Sequence, residues 1–566
     1  MLFHEAVWLE ISERASQRET LTTELNIVFK WPTNSLEMLR PEAIGGRPRI
    51  QDTRDEKHNM THDNTTHHDI TRVEVEGFER RRFLRGVVLA AGAASLTSEF
   101  VGSAVAASAL PATVEVAGHD SGQTVRLAEY AVGLRYEAIP GEVLQRAKDC
   151  ITDTVATILF GAQFPWSKMI IAQATRMGSG GACAILGTGA RVCAPAAALA
   201  HGAMTHAFEQ DNLTFPDSGA HPGASLVTSG LAVAQELGTS GRDLLTAFVA
   251  GAEVMIRIGR ATKRTNEVRG FHAPGTLGPF GAAIVSGKLM RLDAPKMTNA
   301  IGIAASTSGG LLEFAHSGNG AMVKRLHMGR AAEGGVLAAS LAADGFTGPS
   351  TALEGGAGFL KAFCNESDFA ELTRGLGEKF LTSTIMMKRF ACHITAHTPV
   401  EAILDLREKY GFSASDVASI QIAGSQRMAT TNNIPAPPDI LIAQFSIPFC
   451  VALAMVRNPI DPYSFDEVAV HDRSLQAMAS LVRVTAAPGQ AADDVSSTVS
   501  VTLKDGRLLT QRVTEFLGTP ARPLTGRDLR QKFLLLTQKY PAKPMERLLD
   551  RLQNIEFESN LDWVRA

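Results

Sequence analysis

From Gln123 to about Met387, apolar residues recur at helical spacing in one segment after another. Val143–Gly161 follows a Pro140-Gly141 start signal. Pro195–Phe208 is alanine-rich, is opened by its proline and is expected to end near Glu209. Arg242–Ile258, Pro279–Leu289, Pro295–Ala305 and Arg330–Ala343 repeat the pattern. Glycine-rich breaks separate them, at Gly178-Ser179-Gly180-Gly181, Gly309-Gly310 and Gly355-Gly356-Ala357-Gly358. No phosphate-loop lysine follows any of them and none joins a strand to a helix, so they read as helix terminators and close-packing points. After about Lys388 the period changes to two. Val417–Ala423, Ser480–Ala486 and Val499–Leu503 alternate like strands, and Lys504-Asp505-Gly506-Arg507 forms a hairpin turn into Leu508–Val513. Thr525 to Ile555 returns to helical spacing with a break at Pro541. The order predicts a mainly α chain: a large all-helical domain over 120–387, a smaller α+β lid domain over 388–515, and C-terminal helices over 516–566 that return to the helical domain.

Composition narrows the class. With 55 Lys+Arg against 58 Asp+Glu in 566 residues, the chain has no net basic charge to attract nucleic acid or an anionic membrane. Outside the N-terminal region no clean apolar run of about 20 residues occurs, which excludes a polytopic membrane protein. None of the six cysteines forms a CxxC pair, so zinc ribbons and common iron–sulfur patterns are not expected.

The N-terminal region reads as an address. Arg80-Arg81-Arg82-Phe83-Leu84-Arg85 resembles a twin-arginine export signal; a moderately apolar stretch, Gly86–Leu96, follows, and then A-x-A sites at Ala104-Val105-Ala106 and Ala107-Ser108-Ala109. Residues 80–109 are therefore expected to be a twin-arginine-type signal peptide engaging that export machinery. Residues 1–79 are expected to be a disordered leader or an over-extended start, with Met60 as the alternative start. The expected location is periplasmic, or cytoplasmic if the signal is not used. Glu99 interrupts the apolar run, so no membrane anchor is expected.

Four segments concentrate polar residues within apolar, helical sequence: His206–Asn212 leading to His221-Pro222-Gly223, Arg269–His272, Met322–Ala332, and Lys388–His393 with His397 beyond. Singly, each has a bland reading: His206 as a helix-end cap, Lys324 and Arg325 as a solvated face, His393 and His397 as an i,i+4 pair on one helix face. No HExxH or carboxylate at metal spacing accompanies that pair, so no metal is expected. Together they supply imidazoles, fixed cations and a pair of carboxylates. Such a set suits a small carboxylic acid: cations neutralise its carboxylates, and a histidine moves a proton at carbon or at a leaving group.

These segments, in this order, resemble the MmgE/PrpD family, which includes 2-methylcitrate dehydratase and cis-aconitate decarboxylase. The pieces that carry the resemblance are RGFHAPGTLGPFGAA at Arg269–Ala283, KRLHMGRAAEGGVLAA at Lys324–Ala339 with GFTGP at Gly345–Pro349, and KRFACHITAHTPVEAI at Lys388–Ile403. The resemblance implies a metal-independent, cofactor-free lyase, usually a homodimer, with its pocket between helical domain and lid. It assigns catalytic positions to His272, His221, Asp211, Lys324 and His393, and substrate contacts to Lys388, Glu209, Arg325 and Phe449. Phe449 stands where many members have tyrosine. The expected chemistry is proton abstraction α to a carboxylate of a di- or tricarboxylic acid, followed by elimination, as in a dehydratase. Decarboxylation, epimerisation and non-catalytic binding of an exported organic acid are the alternatives.

Overall fold

The computed structural model describes residues 122–565 apart from Asn319. The expected leader and twin-arginine segment, 1–109, lie outside the described residues. The first half is built from helices α1 (Gln123–Gly133), α2 (Gly141–Gly161), α3 (Pro165–Gly178), α4 (Ala194–Thr205), α5 (Thr228–Leu237), α6 (Gly241–Ala261), α7 (Ala273–Leu289), α8 (Ala294–Thr307) and α9 (Val323–Ala343), with shorter helical turns between them. A two-stranded hairpin, β1 (Ser179–Ala184) and β2 (Arg191–Val192), follows α3. The first glycine-rich break is thus strand as well as helix end. The fold is mainly α, as expected, and no single helix among the described residues is long and apolar enough to cross a membrane.

The central helices have almost no polar face. In α4 every residue but Pro195 is buried, and in α7 every residue but Lys288 is, the pattern of helices enclosed on all sides. Two helices start earlier than their proline or periodicity suggests. α7 opens at Ala273, with Pro274 in its first turn and Pro279 inside it. α9 opens at Val323 rather than Arg330, which puts Lys324 and Arg325 in its first turn. Where α4 crosses α9 the backbones nearly touch: a Cβ on Gly202 would lie 2.6 Å from the Met328 carbonyl oxygen, and one on Gly329 2.5 Å from that of Leu199. Only glycine permits this approach. It sets the start of α9 beside the end of α4.

The second half contains α10 (His397–Tyr410), α11 (Ile447–Val456), α12 (Arg473–Ser480) and a four-stranded sheet of β3 (Val417–Gly424), β4 (Val482–Ala486), β5 (Ser497–Leu503) and β6 (Leu508–Val513). Sheet order is β4-β3-β5-β6, with β3 and β4 parallel and the other pairs antiparallel. Alternate residues of β5 are buried, and α10 packs on β5 and β6. The last helices, α13 (Gly526–Leu536) and α14 (Ala542–Gln553), return to α2. There the Lys532 ammonium lies 2.5 Å from Asp153, and Gln553 donates to Thr152 at 2.7 Å.

Candidate active site

α4 ends at Thr205, short of the expected Phe208, and His206 caps it. The chain then runs through the buried acidic turn Glu209–Asn212. Glu209 adopts a φ of 56°, a left-handed conformation uncommon for a side-chain-bearing residue and frequent at functional sites. Three contacts hold the turn. Lys532 donates to the Gln210 carbonyl at 2.9 Å. Asn212 donates to Asp153 at 3.0 Å and accepts the Gly223 N–H at 2.8 Å, tying the turn to His221. Leu213 exchanges backbone hydrogen bonds with Met386, two residues before Lys388.

A cleft of about 830 Å³ opens over this turn, lined by His206, Glu209, His221, His272, Lys324, Lys388 and His393, with Phe445 on one wall. Glu209 joins two chain-distant cations: it contacts the Lys324 ammonium and accepts from Lys388 Nζ at 2.7 Å. Burial, then the charges of Arg325 and Lys388, depress Lys324 well below the ordinary lysine range, and the touching Glu209 carboxylate works against that. Burial also lowers Lys388. Lys324 Nζ sits 5.0 Å above the Phe445 ring, which stacks on His393 at 5.0 Å.

The imidazoles differ in what their second nitrogen meets. Asp211 Oδ2 lies 2.8 Å from His206 Nδ1 and 2.7 Å from His221 Nδ1. Burial alone would raise Asp211, but the two imidazoles hold it well below the usual carboxylate range. Ionised, it can only accept, so both rings donate Nδ1–H, and His206, neutral through burial, keeps Nε2 unprotonated. The three ligand atoms lie within 4.8 Å of one another, close enough for a cation, yet both imidazole–carboxylate distances are already those of hydrogen bonds. His393 Nδ1 accepts the Thr395 backbone N–H at 3.5 Å and meets Thr395 Oγ1 at 2.9 Å, which leaves Nε2–H for the cleft. His272 lies 5.8 Å from His206, centroid to centroid. Burial holds His206, His272 and His393 well below the ordinary histidine value, and the Lys324 charge works in the same direction on His206 and His393. All three are neutral near pH 7.

His221, His272, His393, Lys324, Lys388 and Glu209 therefore meet at one cavity, and Asp211 stands directly behind two of its imidazoles. Arg325 and Phe449 do not reach it. Arg325 donates to the Ala207 carbonyl at 3.3 Å and lies over the Trp166 ring; Phe449 is buried facing Phe465 at 6.4 Å. From this stretch of chain the aromatic ring that lines the cleft is Phe445. His397 is not on a helix face with His393, because a short 3-10 turn, Ile394–Ala396, intervenes; its ring is buried between Phe390 and Phe516. Residue spacing assigns neither His206, beyond a cap, nor Arg264, Glu267 and Arg427, which also line the cleft. Arg264 contacts Glu267, and Arg427 pairs with Asp493 at 3.1 Å.

Residues 125–372 match the MmgE/PrpD N-terminal domain, and 390–555 match the MmgE/PrpD C-terminal domain. The chain belongs to the MmgE/PrpD family. It is 28% identical over 468 residues to a cis-aconitate decarboxylase of Aspergillus terreus, covering 77% of this chain and 94% of the relative. A human cis-aconitate decarboxylase is 26% identical over 446 residues, 75% of this chain and 90% of the relative. A cis-aconitate decarboxylase-like protein oryM of Aspergillus oryzae is 31% identical over 303 residues, 51% of this chain and 62% of the relative. Family and relatives together support an enzyme of the lyase type.

Proposed function

We propose that this MmgE/PrpD protein is a decarboxylase of a small unsaturated di- or tricarboxylic acid, with cis-aconitate the first substrate to try. The observation that carries the reading is the convergence of Lys324 and Lys388 with neutral imidazoles in one cleft. The lysines hold retained substrate carboxylates and stabilise the charge that develops beside them. The bond to the departing carboxylate breaks, its electron pair stays on carbon, and CO2 leaves. An imidazole N–H, that of His272, then delivers the proton to that carbon, and the ring takes a proton back from solvent. The relatives' names support this reading; the resemblance alone first suggested water elimination.

Dehydration has its own support in the unprotonated Nε2 of His206, which suits abstraction of a proton from carbon. Incubation in D2O with cis-aconitate and with saturated hydroxy-acids separates the readings. The expected outcome is CO2 release with one deuterium in the product. Water loss without CO2 would make the protein a dehydratase, and binding without either would make it a non-catalytic binder.

Export by the twin-arginine route and a periplasmic location are part of the same proposal, supported by the Arg80–Arg85 motif and the A-x-A sites. N-terminal sequencing of the purified protein tests them, since a mature start well before Ala104 rules them out. A homodimer is proposed from the family resemblance and is read directly by sedimentation.

A further inference from the structure

His272 is the cleft imidazole whose Nδ1 meets another imidazole rather than a carboxylate. That nitrogen lies 3.1 Å from Nδ1 of His327, in the first turns of α9. Two nitrogens at this distance hold one proton between them, so one ring donates and the other accepts. Both rings are fixed in place. His272 donates its backbone N–H to the Gly310 carbonyl at 3.0 Å, and a Cβ on Gly310 would come within 3.2 Å of the His327 ring. His272 is 6% exposed, while His327 is half-buried and also lines a second cavity alongside Phe314.

His206 and His221 set the contrast. Their partner, Asp211, can only accept, so each ring spends its Nδ1–H on it. An imidazole partner can instead donate to Nδ1. We propose that His327 is a positioning residue that donates Nδ1–H to His272 and so fixes the tautomer in which His272 presents Nε2–H to the cleft. The carboxylate-backed His206 then stands as a base, and the imidazole-backed ring stands as the proton donor. The inference rests on the proposed acid role of His272. A wrong tautomer in such a pair is as damaging as a lost side chain, because the proton is then on the wrong nitrogen.

Two near-isosteric substitutions test this in the full-length protein. His327→Asn keeps an N–H where Nδ1 was; His327→Asp offers only an acceptor and forces His272 to carry its proton on Nδ1. With cis-aconitate, or whichever acid the D2O screen identifies, His327→Asn is expected to keep turnover within about tenfold. His327→Asp is expected to lose about 100-fold or more in kcat with KM little changed, the usual scale for an acid–base group. Nitrogen-15 spectra of histidine-labelled protein should show a protonated His272 Nε2 in wild type and His327→Asn, and a bare one in His327→Asp. Matching thermal melts for the two variants control for folding. Equal activities in the two variants, the reverse order, or a bare Nε2 in wild type overturns the inference. Full turnover in His272→Asn would instead sink the acid role of His272, and the spectra would still report the tautomer on their own.

Discussion

His201 and His206 lie little more than one turn apart at the same end of α4, and both are buried. Burial depresses His201 to about 4 and His206 well below its ordinary value. Their partners separate them. His201 accepts the Leu186 backbone N–H on Nε2 at 3.0 Å and so props the β1–β2 connection. His206 gives Nδ1–H to Asp211 and lines the cleft, where its Nε2 finds no partner among the described residues. Lys324 and Arg325 repeat the contrast from adjacent positions. One meets Glu209 over the cavity; the other meets a carbonyl and an indole behind it. Burial and lost basicity alone therefore do not mark a reacting group. Opening onto the cleft does.

The largest test of that contrast is Lys324→Met. It removes a cation from the cleft but leaves Glu209 paired with Lys388, so the fold should survive. Turnover of the acid substrate is expected to drop by at least about 100-fold while the thermal midpoint stays within a few degrees. Near-normal turnover would remove the lysine from the chemistry and with it the distinction between the two neighbours.

His201 provides the second test, through pH. An unfolded histidine titrates near 6.5, and the folded His201 near 4. Between these values the unfolded chain binds more protons, so stability rises with pH there: it is fully present above about 6.5 and lost as pH falls toward 4. His201 alone should cost on the order of 3 kcal/mol between pH 7 and pH 4, at about 1.4 kcal/mol per pKa unit. His201→Gln keeps an acceptor for Leu186 and cannot titrate. Denaturant melts across that range should therefore fall less steeply for the variant than for wild type, and parallel curves would show that His201 is not buried in its neutral form.

The sequence made the helices and the four polar segments legible because both are local properties. Helical periodicity marks α2, α6 and the C-terminal pair nearly to their ends, and imidazoles, ammonium groups and acids stand out in alanine-rich sequence. What was not legible depends on direction. Consecutive helix residues point about 100° apart, so the choice between Lys324 and Arg325 waits on how α9 meets α4. Phe445 and Phe449 flank the start of α11 in the same way, and only packing decides which ring enters the cleft. The His393–His397 spacing failed because the chain makes a 3-10 turn between them. The pairing of His272 with His327 joins α7 to α9, and no spacing rule announces it.

The smallest expected effect belongs to Arg325, and it sharpens the opening contrast most. The guanidinium is almost wholly buried; Nη2 has no partner among the described residues, and the one carbonyl it reaches accepts at 3.3 Å. Taking such a charge out of water costs more than one neutral acceptor returns. Arg325→Met keeps the aliphatic volume against Trp166 and removes the charge. Its stability should be unchanged or higher by about 1 kcal/mol. The substitution also removes one of the charges that depress Lys324, so that ammonium should hold its proton slightly more firmly. Turnover near pH 7 should stay within about threefold of wild type, a change worth less than 1 kcal/mol. A loss comparable to that of Lys324→Met, with the melt unchanged, would mean that Arg325 turns into the cleft when substrate binds, and that adjacency to Lys324 does carry function after all.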